Sequence, residues 1–224
     1  MRILSIDTSS KICSVAILEE NQVIDEINID NGMTHSENLM PTVEQILEKN
    51  NLKLADIDLI SCCVGPGSFT GIRIGVSSVK AMAEVHDILV AGVTSLECLA
   101  RIDESEKIKV SLIDARNNQV YCGIFDKAYN KLEAFIADDI SNVIEVLKKY
   151  ENIICIGDGA VLHEELIKTE IPDARFAQKN DQRAAFGGMI GYKKYLAGDL
   201  KNADTVVPVY LRKSQAERMK KFWK

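Results

Sequence analysis

The sequence of 224 residues lacks any apolar run of the roughly 18 residues that a membrane-spanning helix needs. Its opening, MRILSIDTSS, lacks the basic and apolar regions of a secretory leader and reads instead as a first strand. Low-complexity tracts are missing as well, and 46% of the residues are apolar. We therefore expect a cytoplasmic globular protein, long enough for two lobes of roughly 100 residues each.

Histidine is scarce, and the three that occur (His35, His86 and His163) lie far apart without metal-ligand spacing. No C-x-x-C or H-E-x-x-H motif occurs either, so neither a zinc site nor a metalloprotease is predicted. Six cysteines are present, mostly inside apolar runs, which favours buried free thiols over disulfides. They are Cys13, Cys62, Cys63, Cys98, Cys122 and Cys155.

Basic residues are fewer than acidic ones, which gives a net charge of −6 and a pI near 5.2. This balance argues against a surface that binds nucleic acid by charge alone. The C-terminal tail, RKSQAERMKKFWK (212–224), is a basic exception that also carries Phe222 and Trp223. Two interpretations stay open for this tail: a solvated terminal helix, or a contact to RNA or to a partner's acidic face.

The two halves of the sequence begin alike. ILSIDTSSKICSVAIL (3–18) and VSLIDARNNQVYCGIF (110–125) each read as a strand, a polar turn and a returning strand. Asp7 and Asp114 occupy the same place in the two hairpins. The matching order of these patterns predicts a duplicated mixed α/β chain with a ligand-sized cleft between its halves.

The elements after each hairpin also correspond. A helix is predicted over 35–50, followed by the buried strand DLISCCVGPG (58–67). In the second half a helix is predicted over 139–150, followed by ENIICIGDG (151–159). At the level of fold this plan resembles actin, sugar kinases and heat-shock ATPases, in which two Asp loops flank the nucleotide phosphates. Fold alone does not fix function.

The segment VGPGSFTGIRIGVSSVKA (64–81) leads from a strand into a helix through three glycines. Its spacing is not that of a Walker loop. The free N–H groups at such a helix start can hold an anion. The alternative is a tight strand-to-helix turn capped by Ser68 or Thr70.

The helix predicted over 71–86 carries two apolar stripes, whereas an ordinary surface helix carries one. The first stripe comprises Ile72, Val76, Val79 and Ala83, and the second comprises Ile74, Ala81 and Val85. Gly71 and Gly75 suggest the close approach of another helix, since a mid-helix glycine costs about 1 kcal/mol relative to alanine. The covering element is either a partner molecule or another part of this chain.

The helix predicted over 35–50 is a candidate neighbour, with a capping box formed by Thr34 and Glu37. Pro41 lies inside the pattern and predicts a kink or a later helix start, and His35 is interpreted as a polar residue at the entrance. Five residues form its apolar stripe: Leu39, Met40, Val43, Ile46 and Leu47.

Asp7 and Asp114 are the candidate catalytic or metal-linked carboxylates, with Ser9 and Ser10 as hydroxyls beside the first. An Asp at a hairpin tip is equally a turn residue whose side chain binds nearby N–H groups. No nucleophile, base and orienting group occur as a set.

Several segments spread over the chain resemble the bacterial TsaB (YeaZ) family. They are IDTSSKICSVAIL, HSENLMP, VGPGSFTGIRIGVSSVKAMA, VTSLECLA and PVYLRKSQAE. The resemblance implies a two-lobed, duplicated actin-like ATPase fold and a role in making threonylcarbamoyladenosine in tRNA. The paralogous transferase TsaD holds a metal through two histidines four residues apart. This chain has no such pair, so the resemblance implies a non-catalytic subunit that binds and activates TsaD.

The resemblance also implies partners. These are TsaD, the small ATPase TsaE through the complex, a second copy of the chain in isolation, and tRNA as the substrate of the complex. It implies no required cofactor and at most weak nucleotide binding, with Asp7, Thr8 and Ser9 as a vestigial phosphate loop. Carried over to this sequence, the partner interface comprises Leu39, Val43, Ile72, Ile74 and Val76.

The predicted lobe boundary falls in the charged stretch RIDESEKIK (101–109). We expect residues 1–103 to form the N-terminal lobe with the partner-binding helices, and residues 104–224 to form a smaller C-terminal lobe. A second functional hypothesis remains: a small nucleotide-dependent phosphotransferase or hydrolase that uses the cleft between the lobes.

Overall fold

The structure, a computed structural model, describes residues 1–212. Apart from Arg212, the basic C-terminal tail therefore lies outside the described residues. Five strands form the first sheet: β1 (Arg2–Asp7), β2 (Cys13–Glu19), β3 (Gln22–Ile29), β4 (Leu59–Cys63) and β5 (Leu89–Val93). Their order is β3-β2-β1-β4-β5. The central strand β1 is antiparallel to β2 and parallel to β4, with Ser5 opposite Ser61.

The second sheet repeats the first. Its strands are β6 (Ile108–Asp114), β7 (Gln119–Phe125), β8 (Ile136–Asp139), β9 (Ile153–Ile156) and β10 (Arg175–Phe176). Their order, β8-β7-β6-β9-β10, is the order of the first sheet. Again the central strand is antiparallel to its hairpin partner and parallel to the strand on its other side. The predicted duplication is confirmed, and Asp7 and Asp114 both end a central strand.

Seven α-helices connect these strands within residues 1–212. They are α1 (His35–Lys49), α2 (Phe69–His86), α3 (Ser95–Ala100), α4 (Ile140–Leu147), α5 (Asp158–Leu162), α6 (Glu164–Glu170) and α7 (Ala184–Leu196). The helices predicted over 35–50, 71–86 and 139–150 are confirmed as α1, α2 and α4. The capping box at Thr34 and Glu37 is present, and Pro41 lies inside α1 rather than at its beginning.

The first sheet is covered on both faces. One face packs against α1 and α2 in a core that includes Leu4, Ile6 and Ile60. The opposite face packs against α7, whose glycines allow a close approach: a Cβ at Gly188 would lie 2.2 Å from Cδ1 of Leu18. A sheet buried on both faces explains why its strands other than the edge strand β3 are mostly apolar in sequence.

The position of α7 bears on the predicted lobe boundary between residues 103 and 104. This helix follows the boundary in the chain, yet it packs on the first sheet, where Ser5 Oγ donates to the carbonyl of Ala184 over 2.6 Å. Ser61 Oγ donates in the same way to the carbonyl of Gly187 over 2.7 Å. The division at 103 and 104 stays a prediction, but α7 belongs to the packing of the first sheet.

A C-terminal strap (residues 200–212) ties the two halves together. The N–H of Val209 donates to the carbonyl of Val64 over 2.8 Å, and Arg212 Nη1 donates to the carbonyl of Ala115 over 3.0 Å. Tyr210 stacks on Phe69 with ring centroids 4.9 Å apart and accepts a hydrogen bond from Arg73 Nε over 2.8 Å. The strap therefore crosses the first turn of α2 and reaches the second hairpin.

All six cysteines are buried and free, as predicted from the apolar runs that contain them. Within residues 1–212, none of the helices combines the length and the apolar character that crossing a lipid bilayer requires.

Candidate functional site

The predicted cleft between the two halves is present, with a volume of about 870 Å³. The first hairpin loop lines it with Ser9 and Ser10, the second with Asp114 and Arg116, and α5 adds Asp158. Equivalent loops therefore face each other across the cleft, because each follows the central strand of its own sheet. The cleft is large enough for a small-molecule ligand.

The described charges that line this cleft are mainly negative. Lys11 and Arg116 are its basic residues, and its acidic residues are Asp30, Asp114, Asp158 and Asp181. Lys11 Nζ lies 2.9 Å from a carboxylate oxygen of Asp30, so its charge is already neutralised. A polyphosphate entering the cleft would therefore meet net repulsion from these side chains.

The first candidate carboxylate, Asp7, does not face the cleft. Its Oδ1 accepts hydrogen bonds from the N–H of Ser9 over 2.8 Å and from the hydroxyl of Ser9 over 2.7 Å. Its Oδ2 is buried and has no partner among the described residues. Burial raises the pKa of Asp7 above its ordinary value of 3.8, because the charged form loses hydration. In this arrangement Asp7 organises a turn.

The second candidate, Asp114, also binds its own turn. Its Oδ1 accepts a hydrogen bond from the N–H of Arg116 over 2.8 Å. The N–H of Asp114 donates to Asp158 Oδ1 over 3.0 Å, and burial raises the pKa of Asp158. Within the described part of the chain, no group of three His, Cys, Asp or Glu side chains is arranged to hold a metal ion.

The start of α2 is the tight turn that the sequence left as one of two alternatives. Ser68 is the N-cap residue, and its hydroxyl accepts a hydrogen bond from the N–H of Gly71 over 3.2 Å. The N–H of Ser68 itself donates to the carbonyl of Ser9 over 2.7 Å. Gly67 is required here, since a Cβ would lie 2.2 Å from that carbonyl oxygen. The N–H of Ser68 is thus bound by the first hairpin loop and that of Gly71 by the Ser68 hydroxyl.

Gly71 and Gly75 leave room chiefly for the first hairpin loop of this chain. A Cβ at Gly71 would lie 2.1 Å from the carbonyl oxygen of Thr8, and one at Gly75 would lie 2.4 Å from the hydroxyl of Thr8. The predicted approach of another helix holds for Gly71 alone, whose Cβ would also lie 3.0 Å from Cδ2 of His35, the first residue of α1. The predicted phosphate-loop residues Asp7, Thr8 and Ser9 do lie together, but only Ser9 lines the cleft.

His35, at the entrance of α1, has a structural contact. Its Nε2 lies 2.8 Å from the carbonyl oxygen of Ser10. A carbonyl can only accept, so Nε2 carries the proton and donates it. The side chain thereby joins the start of α1 to the first hairpin loop, as expected for a polar residue at a helix terminus.

Most of the predicted partner-interface residues are not at the surface. Leu39, Val43, Ile72 and Val76 are each at most 3% exposed and belong to the core beneath α1 and α2. Their hydrophobic side chains face the first sheet, so a partner cannot contact them in this structure. Ile74 alone of the five is half-buried, and it lines the cleft.

The second apolar stripe of α2 faces outward. Val85 is 70% exposed and Ala81 is exposed as well, while Ile74 lies at the cleft end of the same stripe. On α1, Met40 is 48% exposed and Met33 precedes the helix with its side chain exposed. Neither methionine is predicted at the surface from the sequence, where Met40 belongs to the apolar stripe of α1.

Comparison with known proteins agrees with this architecture. Residues 30–220 match a family model described as TsaD, tRNA N6-adenosine threonylcarbamoyltransferase. A Bacillus subtilis protein, tRNA threonylcarbamoyladenosine biosynthesis protein TsaB, is 32% identical over 97% of this chain and 96% of its own length.

Solved structures show the same fold. YeaZ from Pseudomonas aeruginosa is similar with a TM-score of 0.80 and 25% identity, covering 94% of this chain and 99% of that one. A ROK hexokinase from Thermus thermophilus aligns with a TM-score of 0.51 and 9% identity, covering 85% and 98% of the two chains. The predicted two-lobed, duplicated fold of the actin-like ATPases and sugar kinases is confirmed.

Proposed function

Since this chain belongs to the TsaB family of tRNA threonylcarbamoyladenosine biosynthesis proteins, we propose that it is a non-catalytic subunit that binds and activates a TsaD-type transferase. The family places it in the pathway of this tRNA modification. The step that remains a proposal is its action through a partner rather than through chemistry of its own.

The arrangement of the polar residues supports a non-catalytic role. The Asp7 carboxylate is enclosed by its own turn, and Asp114 is bound to the turn that follows it. The histidines of the sequence do not have the spacing of four residues that the transferase uses for its metal. The residues that carry the family resemblance here build turns and packing contacts.

The single observation that carries the proposal is the outer stripe of α2, defined by Ile74, Ala81 and Val85. No described element of this chain covers Ala81 or Val85, although both are apolar. A short exposed apolar stripe on a helix is a typical protein-binding surface. We place the partner contact on this outer stripe together with Met40 of α1, in place of the buried residues Leu39, Val43, Ile72 and Val76.

The outer stripe also accounts for the proposed homodimer. A second copy of the chain would cover the outer stripe in isolation, which gives a homodimer that competes with TsaD. The ATPase TsaE joins through the complex, tRNA is the substrate of the complex, and the assembly acts in the cytoplasm.

We propose that no cofactor is required and that nucleotide binds the cleft weakly at most. The acidic lining and the use of the Ser68 and Gly71 amides inside the turn support this proposal. A polyphosphate with a metal does not fit the cleft as it stands, because the Asp7 carboxylate is buried and does not line it.

The alternative function, a small nucleotide-dependent phosphotransferase or hydrolase, is favoured only by the size of the cleft. Calorimetry with ATP separates the two. Micromolar binding that Asp7→Ala abolishes would favour the enzyme, whereas weak binding that Asp7→Ala leaves unchanged supports the subunit.

Reconstitution of tRNA modification tests the proposed function directly. The TsaD-type transferase, TsaE with ATP, threonylcarbamoyl-adenylate as the group donor, and tRNA are combined with and without this chain, and threonylcarbamoyladenosine is measured. We expect product only when the chain is added and none from the chain alone. Full activity without it, or from the purified chain by itself, would contradict the proposal.

A further inference from the structure

A second cavity, the α3–α7 pocket, lies away from the cleft between the two halves. Its volume is about 300 Å³, and its lining includes Arg101 after α3, Phe125 at the end of β7, and Ile190 and Lys193 of α7. The cleft is lined by Tyr121 of β7, and Phe125 is four residues further along the strand, about 14 Å away. The two cavities are therefore separate.

Two cations in this pocket form no ion pair within 4 Å among the described residues. Arg101 is half-buried, and its guanidinium lies 4.1 Å from the ring centroid of Tyr129. Lys193 lines the pocket one turn before the end of α7 and is exposed. Burial lowers the pKa of both cations, and the charge of Arg101 lowers the pKa of Lys193 further.

The acidic residues of the pocket are already engaged elsewhere. Both the N–H and the hydroxyl of Thr94 donate to Glu97 Oε2, over 2.8 and 2.7 Å, in the capping box of α3. Asp199 lies 3.3 Å from Lys194 Nζ. The charge of Glu97 still raises the pKa of Arg101, so the two cations are only partly compensated in this partly desolvated cavity. An anion bound between them would remove the remaining repulsion.

The apolar side chains of the α3–α7 pocket indicate what kind of group would be attached to the anion. Phe125 is 1% exposed, and together with Tyr129 and Ile190 it forms an apolar wall beside the two cations. The cavity is at the lower end of the range for small-molecule sites. We propose that the α3–α7 pocket binds a small phosphate monoester, with the phosphate between Arg101 and Lys193 and the body of the molecule against Phe125 and Tyr129.

Binding of ribose 5-phosphate and of inorganic phosphate, measured by calorimetry on the full chain, tests this proposal. We expect ribose 5-phosphate to bind more tightly than phosphate, because only the former contacts the apolar wall. Arg101→Gln with Lys193→Gln should weaken its binding about tenfold or more, the loss expected for charge-assisted contacts to phosphate. Lys193 is exposed, so Lys193→Gln alone should leave the protein folded. Weaker binding of ribose 5-phosphate by this single variant therefore reports the lost charge and not unfolding.

Matched controls identify the site. Lys149→Gln with Arg175→Gln removes the same charge from exposed positions that have no ion pair in the described chain, and should change the affinity less than about twofold. Arg116→Gln in the cleft should also have little effect. The proposal is overturned if neither probe binds the unaltered chain, if the controls lose binding equally, or if the pocket variants retain it. Binding of a short RNA but of neither probe also overturns it.

Discussion

The hydroxyl of Thr8 donates a hydrogen bond to the backbone carbonyl of Gly71 over 2.8 Å, across 63 residues of sequence. The contact joins the first hairpin loop to the first turn of α2, and the glycines of that turn are what let the loop come so close. The predicted phosphate loop (Asp7, Thr8 and Ser9) is thereby held against α2 as a packing element.

Gly71→Ala is expected to destabilise the protein. An alanine normally favours a helix over glycine by about 1 kcal/mol, but here its Cβ would meet the backbone oxygen of Thr8 at 2.1 Å. Because backbone cannot rotate away, we expect the free energy of unfolding to fall by about 2–3 kcal/mol, as for other overpacked sites. Chemical denaturation measures this value. Ser77→Ala on the exposed side of α2 is the control and should be neutral or slightly stabilising.

Ala81→Glu with Val85→Glu is expected to abolish binding to the TsaD-type partner while the chain stays folded. Both positions are exposed, so the charges cost little in the free chain, but they would be buried without compensation in the complex. We expect the affinity to fall about a hundredfold or more, measured by calorimetry with the purified partner.

The control for this pair is Val161→Glu with Leu162→Glu, which adds the same charges to exposed apolar positions of α5. Those substitutions should leave the affinity unchanged. Assembly that survives the α2 substitutions would show that the partner contact lies elsewhere. Val76→Glu, in contrast, should unfold the chain because that side chain is 3% exposed.

Asp7→Asn is expected to stabilise the chain near neutral pH. The pKa of Asp7 is raised in the folded chain above 3.8, so the folded chain keeps a proton that the unfolded chain releases. Stability is therefore lost as the pH rises from 3.8 through the folded pKa, and the neutral asparagine removes that loss. We expect a higher melting temperature than that of the unaltered chain near pH 7 and little difference below pH 3.8, measured by thermal scans across this range.

Asp25→Asn is expected to change the stability in the opposite direction. Lys49 lowers the pKa of Asp25, so this substitution should cost stability near neutral pH and have little effect in acid. Asp7→Asn should also leave tRNA modification by the reconstituted complex unchanged. Loss of modification without loss of folding would favour a catalytic carboxylate.

The six thiols are expected to resist alkylation in the native chain. Burial raises the pKa of Cys13 to about 11 and that of Cys155 to about 12, so the reactive thiolate is rare at neutral pH. Mass spectrometry after brief iodoacetamide treatment should find no label on the native chain and six labels after denaturation. Val85→Cys supplies the control, because its exposed thiol should be modified rapidly. Rapid modification of a native cysteine would show that its segment opens.

Several elements of this fold could be predicted from local patterns in the sequence. Thr34 and Glu37 predicted where α1 begins, and the repeated strand–Asp–strand pattern predicted the two hairpins, because hydrogen bonding at a turn or a helix start involves residues close in sequence. The strand β3 was missed, although its alternating exposure is a period-two signal. Helix α7 was missed because three glycines in its interior argue against a helix until a sheet packs against them.

What the sequence alone determined was the duplicated plan, the free thiols, the family, and the presence of two apolar stripes on α2. Only the tertiary structure decided which stripe faces outward and why Gly71 and Gly75 are small. It also decided that α7 packs on the first sheet and that the strap crosses the start of α2. The reason is physical: periodicity records which faces of an element are apolar, whereas burial depends on the distant segment that covers each face. Ile72 and Val85 are both apolar in the sequence. The first sheet covers Ile72 and leaves Val85 exposed, and this difference is visible only in the tertiary structure.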